Sequence, residues 1–188
     1  KAQQRLSRLA RYDEMTDLPN RAELQERASA ALHQASRAGA QVALLCLDLD
    51  RFRAVNDAIG HEVGDELLRI AAQRIVNAVR TTDTVARLAA DEFVLLLPDV
   101  SCKQEACAVA EKLLQKFRSP IVVNGQSCLV TLSIGVACGP EDGANADELL
   151  RNAESALSRA KQARGDTFQL YDRAKHDDYL KRYLAGGE

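Results

Sequence analysis

Thr84–Leu97 reads TVARLAADEFVLLL, two short apolar runs (Thr84 to Leu88 and Phe93 to Leu97) separated by Ala89-Ala90-Asp91-Glu92. Such runs on either side of a short break are the pattern of a β-hairpin. A hairpin in mid-chain separates two α/β architectures, because a doubly wound parallel sheet joins its strands through crossover helices instead. Upstream, Val42 to Leu49 is almost continuously apolar and ends in acids, as a strand covered on both faces would be, with Val42, Leu44, Cys46 and Asp48 on one face. Helical spacing appears in Leu24, Ala28, Ala31, Leu32 and Ala35, between a turn at Asp17-Leu18-Pro19-Asn20 and Gly39. A second long helix is expected after Gly60-His61, on Leu67, Leu68, Ala71, Ala72, Ile75 and Val79. A third carries Ala106, Ala110, Leu113, Leu114 and Phe117, and the last carries Leu149, Leu150, Ala153, Ala156, Leu157 and Ala160. Between these two, Cys128, Val130, Leu132, Ile134 and Val136 alternate as one strand. The order strand, helices, hairpin, helix, strand, helix predicts an α/β (α+β) sandwich of the ferredoxin-like kind, its central sheet mostly antiparallel and flanked by helices.

A chain of 188 residues, 46% hydrophobic, is long enough for one well-buried core. The formal charge of −2 gives no basic footprint for a nucleic-acid backbone, so no nucleic-acid partner is expected. The five cysteines, at 46, 102, 107, 128 and 138, form an odd set without a C-x-x-C pair. They read as reduced core residues, which points to the cytoplasm. No apolar run approaches the roughly 18 residues of a membrane span, although a parent protein can still be membrane-anchored. Lys1 to Arg11 and Ala174 to Glu188 are polar and helix-like. The expected organisation is an upstream signalling helix or linker over 1–12, the domain over 13–173 and a downstream linker helix over 174–188.

In this topology the end of the Val42 strand and the tip of the hairpin can lie side by side, which would gather Asp48, Asp50, Asp91 and Glu92. Carboxylates this close repel one another unless a divalent cation compensates, and an all-oxygen set favours Mg²⁺ or Mn²⁺. Such a cluster suits the binding of a triphosphate for in-line attack at phosphorus. Alone, acids at strand ends are more often solvated caps.

Further stretches recur in order along the chain: Asp13-Glu14-Met15-Thr16-Asp17-Leu18-Pro19-Asn20-Arg21, Leu47-Asp48-Leu49-Asp50-Arg51-Phe52-Arg53, Asn56-Asp57, Gly60-His61, Gly64-Asp65, Ser133-Ile134-Gly135-Val136-Ala137 and Ala160-Lys161. Over roughly Asp13 to Asp172 the sequence resembles the GGDEF (diguanylate cyclase) family, whose fold is of the nucleotidyl-cyclase palm type. In that family two GTP molecules held by two facing domains condense into cyclic di-GMP, each 3′-hydroxyl attacking the other nucleotide's α-phosphate. The resemblance therefore implies GTP or cyclic di-GMP as ligand, a homodimer if active, and an attached sensor or EAL phosphodiesterase domain. It implies cation ligation by Asp48, Asp91 and the Leu49 carbonyl, with Glu92 in the same catalytic acidic pair as Asp91. It assigns Asn56 and Asp65 to the guanine edge, the backbone of Phe52 and Arg53 to phosphate oxygens, and Lys161 to a phosphate charge. Taken singly, Asn56 and Asp65 read equally well as helix caps and Lys161 as a solvated lysine.

Arg80-Thr81-Thr82-Asp83 matches the family's R-x-x-D inhibitory product site, where Arg80 would grip phosphate and Asp83 would meet guanine. The departures are concentrated at the reacting centre. Ala89 and Ala90 replace two glycines at the substrate-binding tip, Ser158 stands where tyrosine is usual, Arg164-Gly165 where glycine followed by arginine is common, and Arg53 where lysine is usual. Tight hairpin turns need positive φ, which costs alanine about 1–2 kcal/mol, so the tip is expected either to relax or to be strained. Each methyl also projects toward the nucleotide. The sequence thus predicts a catalytically impaired, degenerate active site in a regulatory domain of cyclic di-GMP signalling, with an active cyclase and a nucleotide-independent dimerisation scaffold as the alternatives.

Overall fold

A computed structural model describes residues 2–185. In chain order its elements are α1 (Ala2–Leu9), α2 (Arg21–Ala38), β1 (Gln41–Leu49), α3 (Phe52–Ile59), α4 (His61–Ala78), β2 (Thr84–Ala89), β3 (Glu92–Val100), α5 (Lys103–Phe117), β4 (Ile121–Val123), β5 (Gln126–Cys128), β6 (Leu132–Gly139), α6 (Ala146–Gln162), β7 (Thr167–Leu170) and α7 (Arg173–Ala185). The main sheet has the order β2-β3-β1-β6-β7, antiparallel except for the parallel pair β6–β7. This is the mostly antiparallel α/β sandwich that the hairpin predicts.

Alternation along β1 builds the two layers. Ala43, Leu45, Leu47 and Leu49 join a core with α4 and α5. Val42, Leu44 and Cys46 join another with α2 and α6. With both faces of β1 covered, its near-continuous apolar run is explained. Helix α2 starts at Asn20, whose side chain accepts from the Glu23 N–H, and stops at Gly39, left-handed at φ 67°. Gly135 sits where α6 crosses β6, and a Cβ there would lie 2.1 Å from the Ala153 carbonyl oxygen and 2.2 Å from the Leu157 nitrogen. Neither backbone atom can rotate away. Gly135→Ala is expected to cost about 2 kcal/mol and lower the thermal midpoint by roughly 4–8 °C, measured by circular dichroism.

The structure departs from the sequence expectation in three places. Residues 128–136 are not one strand: Cys128 ends a small β4–β5 hairpin and β6 begins at Leu132. Helix α3 and strand β7 were not foreseen. Of the two outcomes expected for the alanine tip, it takes the relaxed one, since neither Ala89 nor Ala90 is among the non-glycine residues of positive φ. The hairpin relaxes by a register shift between Arg87 and Ala89, which leaves Leu88 as an extra residue and Ala89 opposite Glu92. Of the expected downstream helix over 174–188, α7 covers the described part, and 186–188 lie outside the described residues. No helix of the described residues is long and apolar enough to cross a membrane.

Candidate functional site

The end of β1 and the β2–β3 tip open into one cavity of about 1240 Å³. It is lined by Asp48, Leu49, Phe52, Arg53, Asp91, Glu92 and Lys161 among the residues singled out from the sequence. Asn56, Asp65, Ala89 and Ala90 are not among its lining residues. Arg80 and Asp83 border a separate groove of about 320 Å³ with Thr82, Pro98 and Asp99.

Register carries the acids together, because Asp48 pairs with Glu92 across β1–β3 and with Ser133 across β1–β6. Asp48 is buried and Lys161 Nζ rests on its Oδ2. Burial works against the Lys161 charge, but the Asp48 contact, with Asp91 and Glu92 beyond it, wins and raises its pKa. Burial, then the hydrogen bond and charge of Asp48, push the Asp91 carboxyl up to about 7. A carboxyl so raised holds a proton in the fold that it lacks when unfolded, so its contribution to stability is full below its ordinary 3.8 and is lost as pH rises through about 7. Subtracting the thermal midpoint of Asp91→Asn from that of the parent should therefore give a difference that falls between these two pH values. Added Mg²⁺ or Mn²⁺ is expected to reverse that fall in the parent only.

A divalent cation suits this donor set. The described residues contain no cluster of three or more His, Cys, Asp or Glu able to hold a metal. Two carboxylates completed by substrate phosphates are the usual provision for Mg²⁺, and Asp48 and Asp91 would be the two. Asp50, grouped with these acids from the sequence, is employed otherwise. Its carboxylate accepts from Thr131 Oγ1 at 2.7 Å, Ser133 Oγ at 2.5 Å and the Asp166 N–H at 2.8 Å. It is a structural anchor. β1 ends at Leu49, so Asp50 leaves the strand and turns toward β6 and the loop after α6.

Neither Asn56 nor Asp65 caps a helix. Asn56 lies in the last turn of α3, Asp65 lies inside α4, and the residue before α4 is Gly60 with no side-chain cap. Asn56 Oδ1 is buried without a hydrogen-bond partner. Gly64 makes room for it: a Cβ there would lie 1.6 Å from that oxygen. An unsatisfied buried amide beside a vacated Cβ position is a costly arrangement unless a ligand completes it. At the second groove, Asp83 Oδ2 accepts from the Arg80 N–H at 2.9 Å, and the exposed Arg80 guanidinium lies 3.6 Å from Glu105. Burial raises the Asp83 pKa, against the pull of Arg80.

Arg87 escaped the sequence reading. It is buried on β2, donates from Nε to the Ala90 carbonyl at 2.8 Å and from Nη1 to both oxygens of Asp13 at 3.0 Å. Asp13 also accepts from the Thr16 N–H and hydroxyl. Although burial opposes its charge, hydrogen bonds from Thr16 and Arg87 lower its pKa. The opening motif therefore serves as the foundation of the hairpin tip. Its signal was an arginine placed between Ala86 and Leu88 in an apolar strand, since a buried charge requires a partner.

A mostly antiparallel sheet with paired carboxylates where its central strand meets a hairpin tip defines the nucleotidyl-cyclase palm class. The family model described as "Diguanylate cyclase, GGDEF domain" matches residues 10–167, and the chain belongs to the GGDEF family. The cyclic di-GMP phosphodiesterase NbdA of Pseudomonas aeruginosa is 39% identical over 168 residues, 89% of this chain and 21% of NbdA. The bifunctional diguanylate cyclase/cyclic di-GMP phosphodiesterase MucR of the same organism is 43% identical over 161 residues, 86% of this chain and 23% of MucR. The chain thus spans under a quarter of the length of these relatives. The crystal structure of the GGDEF domain of TpbB (YfiN) from P. aeruginosa superposes with a TM-score of 0.82 at 36% identity, covering 84% of this chain and 98% of that one.

Proposed function

We propose that this domain binds GTP with Mg²⁺ or Mn²⁺, or cyclic di-GMP, and acts as a catalytically impaired regulatory element of a larger cyclic di-GMP signalling protein with an attached sensor or EAL domain. The observation that carries the reading is the orphaned Asn56 amide in the space left by Gly64, next to a cavity holding Asp48, Asp91 and Lys161. Asn56 and Asp65 would meet the donors and acceptors of the guanine edge. The Phe52 and Arg53 backbone would meet phosphate oxygens, while Asp48, Asp91 and the Leu49 carbonyl would hold the cation. A bound cation would neutralise the triphosphate and polarise phosphorus. Lys161 would exchange Asp48 for a phosphate.

The impairment rests on the methyls of Ala89 and Ala90, both exposed at the tip where a nucleotide would approach. Isothermal titration with GTP and Mg²⁺ is expected to show binding that Asn56→Ala weakens about tenfold, the consequence of one lost hydrogen-bonding side chain. Titration with cyclic di-GMP tests the receptor role of Arg80 and Asp83, and binding unaffected by Arg80→Ala would remove that site from the account. A working cyclase acting as a homodimer is the second reading, favoured by the absence of left-handed strain at the alanines. A dimerisation scaffold would give no heat with either nucleotide.

A further inference from the structure

The two edges of the main sheet are finished differently. At β2 the Arg87 N–H donates to the Pro19 carbonyl at 3.0 Å, so the segment before α2 covers that edge. At the other edge β7 pairs with β6 alone, and the Tyr171 N–H just beyond it donates to the Val136 carbonyl at 2.7 Å. Alternate residues of a parallel strand turn their backbone groups to the same neighbour, so Thr167 and Gln169 face β6 as Tyr171 does, while Phe168 and Leu170 turn theirs outward. The Leu170 carbonyl accepts from Arg159. Among the described residues the Phe168 and Leu170 N–H groups have no acceptor. No lysine, proline or bulge blunts this edge. Helix α7 then turns away and is tied to α6 by the 2.6 Å hydrogen bond between Ser155 Oγ and His176 Nδ1. The space bounded by β7, α7 and the first half of α6 is a cavity of about 960 Å³ that shares no residue with the nucleotide cavity. Most of its acids are engaged: Glu141 and Asp142 pair with Lys103, Glu148 accepts from the Ala144 N–H and Asp172 from the Lys175 N–H. Its exposed cations Arg151, Arg173 and Lys175 form no ion pair among the described residues, and of its acids Asp177 alone is unengaged there. The cleft thus joins unused backbone donors to an excess of unneutralised positive charge.

We propose that the β7 edge receives an extended acidic segment of a partner protein, which adds as a sixth strand of the main sheet in the cleft beside α7. Strand addition draws its affinity from main-chain hydrogen bonds and its selectivity from the side chains that alternate along the added strand. Donors two residues apart on β7 lie about 6.6 Å from one another, the spacing of alternate carbonyls on a second strand. That match favours a peptide over other anionic polymers. Arg151, Arg173 and Lys175 then select glutamate or aspartate on the incoming strand, with the salt dependence of exposed charge pairs. The site is independent of the nucleotide reading.

The test is fluorescence anisotropy of a labelled peptide of alternating glutamate and valine, roughly eight residues long to overspan the edge. Its controls are the lysine–valine counterpart, a version with the two central valines replaced by proline, and an oligouridylate of equal charge. The acidic peptide is expected to bind the parent, and the lysine and proline versions to bind at least about tenfold more weakly. Leu170→Pro removes an outward N–H without touching the ladder to β6, and should lower affinity about tenfold, whereas Leu170→Ala, which keeps that N–H, should not. The surface double variant Arg151→Ala, Arg173→Ala should lose about fivefold and flatten the salt dependence. Absence of acidic-peptide binding, equal binding of the lysine or proline version, or equal losses in Leu170→Pro and Leu170→Ala overturns the proposal. Displacement of the peptide by the oligouridylate at equal concentration overturns strand addition in favour of a plain anion patch. Self-association of the parent that Leu170→Pro abolishes, without peptide binding, makes the occupant a second copy of the chain and overturns the acidic partner.

Discussion

Arg87→Ala is expected to lower the stability of the domain by about 3 kcal/mol, the low end of the cost of removing one partner from a buried pair. The low end applies because the Asp13 side chain keeps 23% of its exposure. Truncation leaves the Asp13 carboxylate without the Nη1 donor that both its oxygens share and the Ala90 carbonyl without its donor. For a chain of this size the thermal midpoint should fall by roughly 6–12 °C. Lysine should restore little, since one ammonium cannot reproduce a planar donor set that serves Asp13 and Ala90 together. The same variant should narrow the pH-dependent difference ascribed to Asp91, because the tip that holds Asp91 against Asp48 has lost its anchor. A midpoint within 2 °C of the parent, a shift below about 1 kcal/mol, would show that the tip is held by strand pairing alone.

How legible this fold was depended on how much apolar periodicity each segment carried. Helices α2, α4, α5 and α6 bury a full stripe, and β1 to β3 are short apolar runs between breaks, so pattern alone located them. Helix α3 buries only Phe52, and no side-chain cap marks its start. Strand β7 is an edge strand of partly exposed residues that follows left-handed Arg164, Gly165 and Asp166. The Phe52, Val55 and Ile59 spacing of α3 covers only two turns, and β7 is too short and too evenly exposed to alternate.

Part of the site was legible because strand register carries it: Asp48 and Glu92 face each other across β1–β3, and Lys161 comes from the last turn of α6. The remainder depended on contacts distant in sequence. The Arg87–Asp13 pair spans 74 residues, and Asp50 reaches Thr131 and Asp166 over 81 and 116. The choice between a relaxed and a strained alanine tip was open in the sequence, because it turned on a register shift at Leu88 that composition does not reveal.

The second large effect concerns catalysis. On the proposed reading, with the tip unstrained, Ala89 and Ala90 would impair it only through their methyl groups, so removing the methyls should restore placement of the nucleotide without repairing the fold. A displacement of about 1 Å at reacting atoms costs on the order of a hundredfold in rate, and relief of that misplacement should return a gain of similar size. Stability should change little and in the opposite direction, since glycine loses more conformational freedom on folding. Asp48→Asn in the glycine background should abolish the gain, because the proposed cation would then lack one of its two carboxylates.

The central claim is that this domain retains a nucleotide site and is limited in catalysis by the two tip methyls. The most direct measurement is cyclic di-GMP formed from GTP and Mg²⁺ at high protein concentration, by the parent and by the Ala89→Gly, Ala90→Gly double variant. Little or no product from the parent and roughly a hundredfold more from the double variant is the predicted result. Equal rates in the two proteins, whether both fast or both absent, would contradict it.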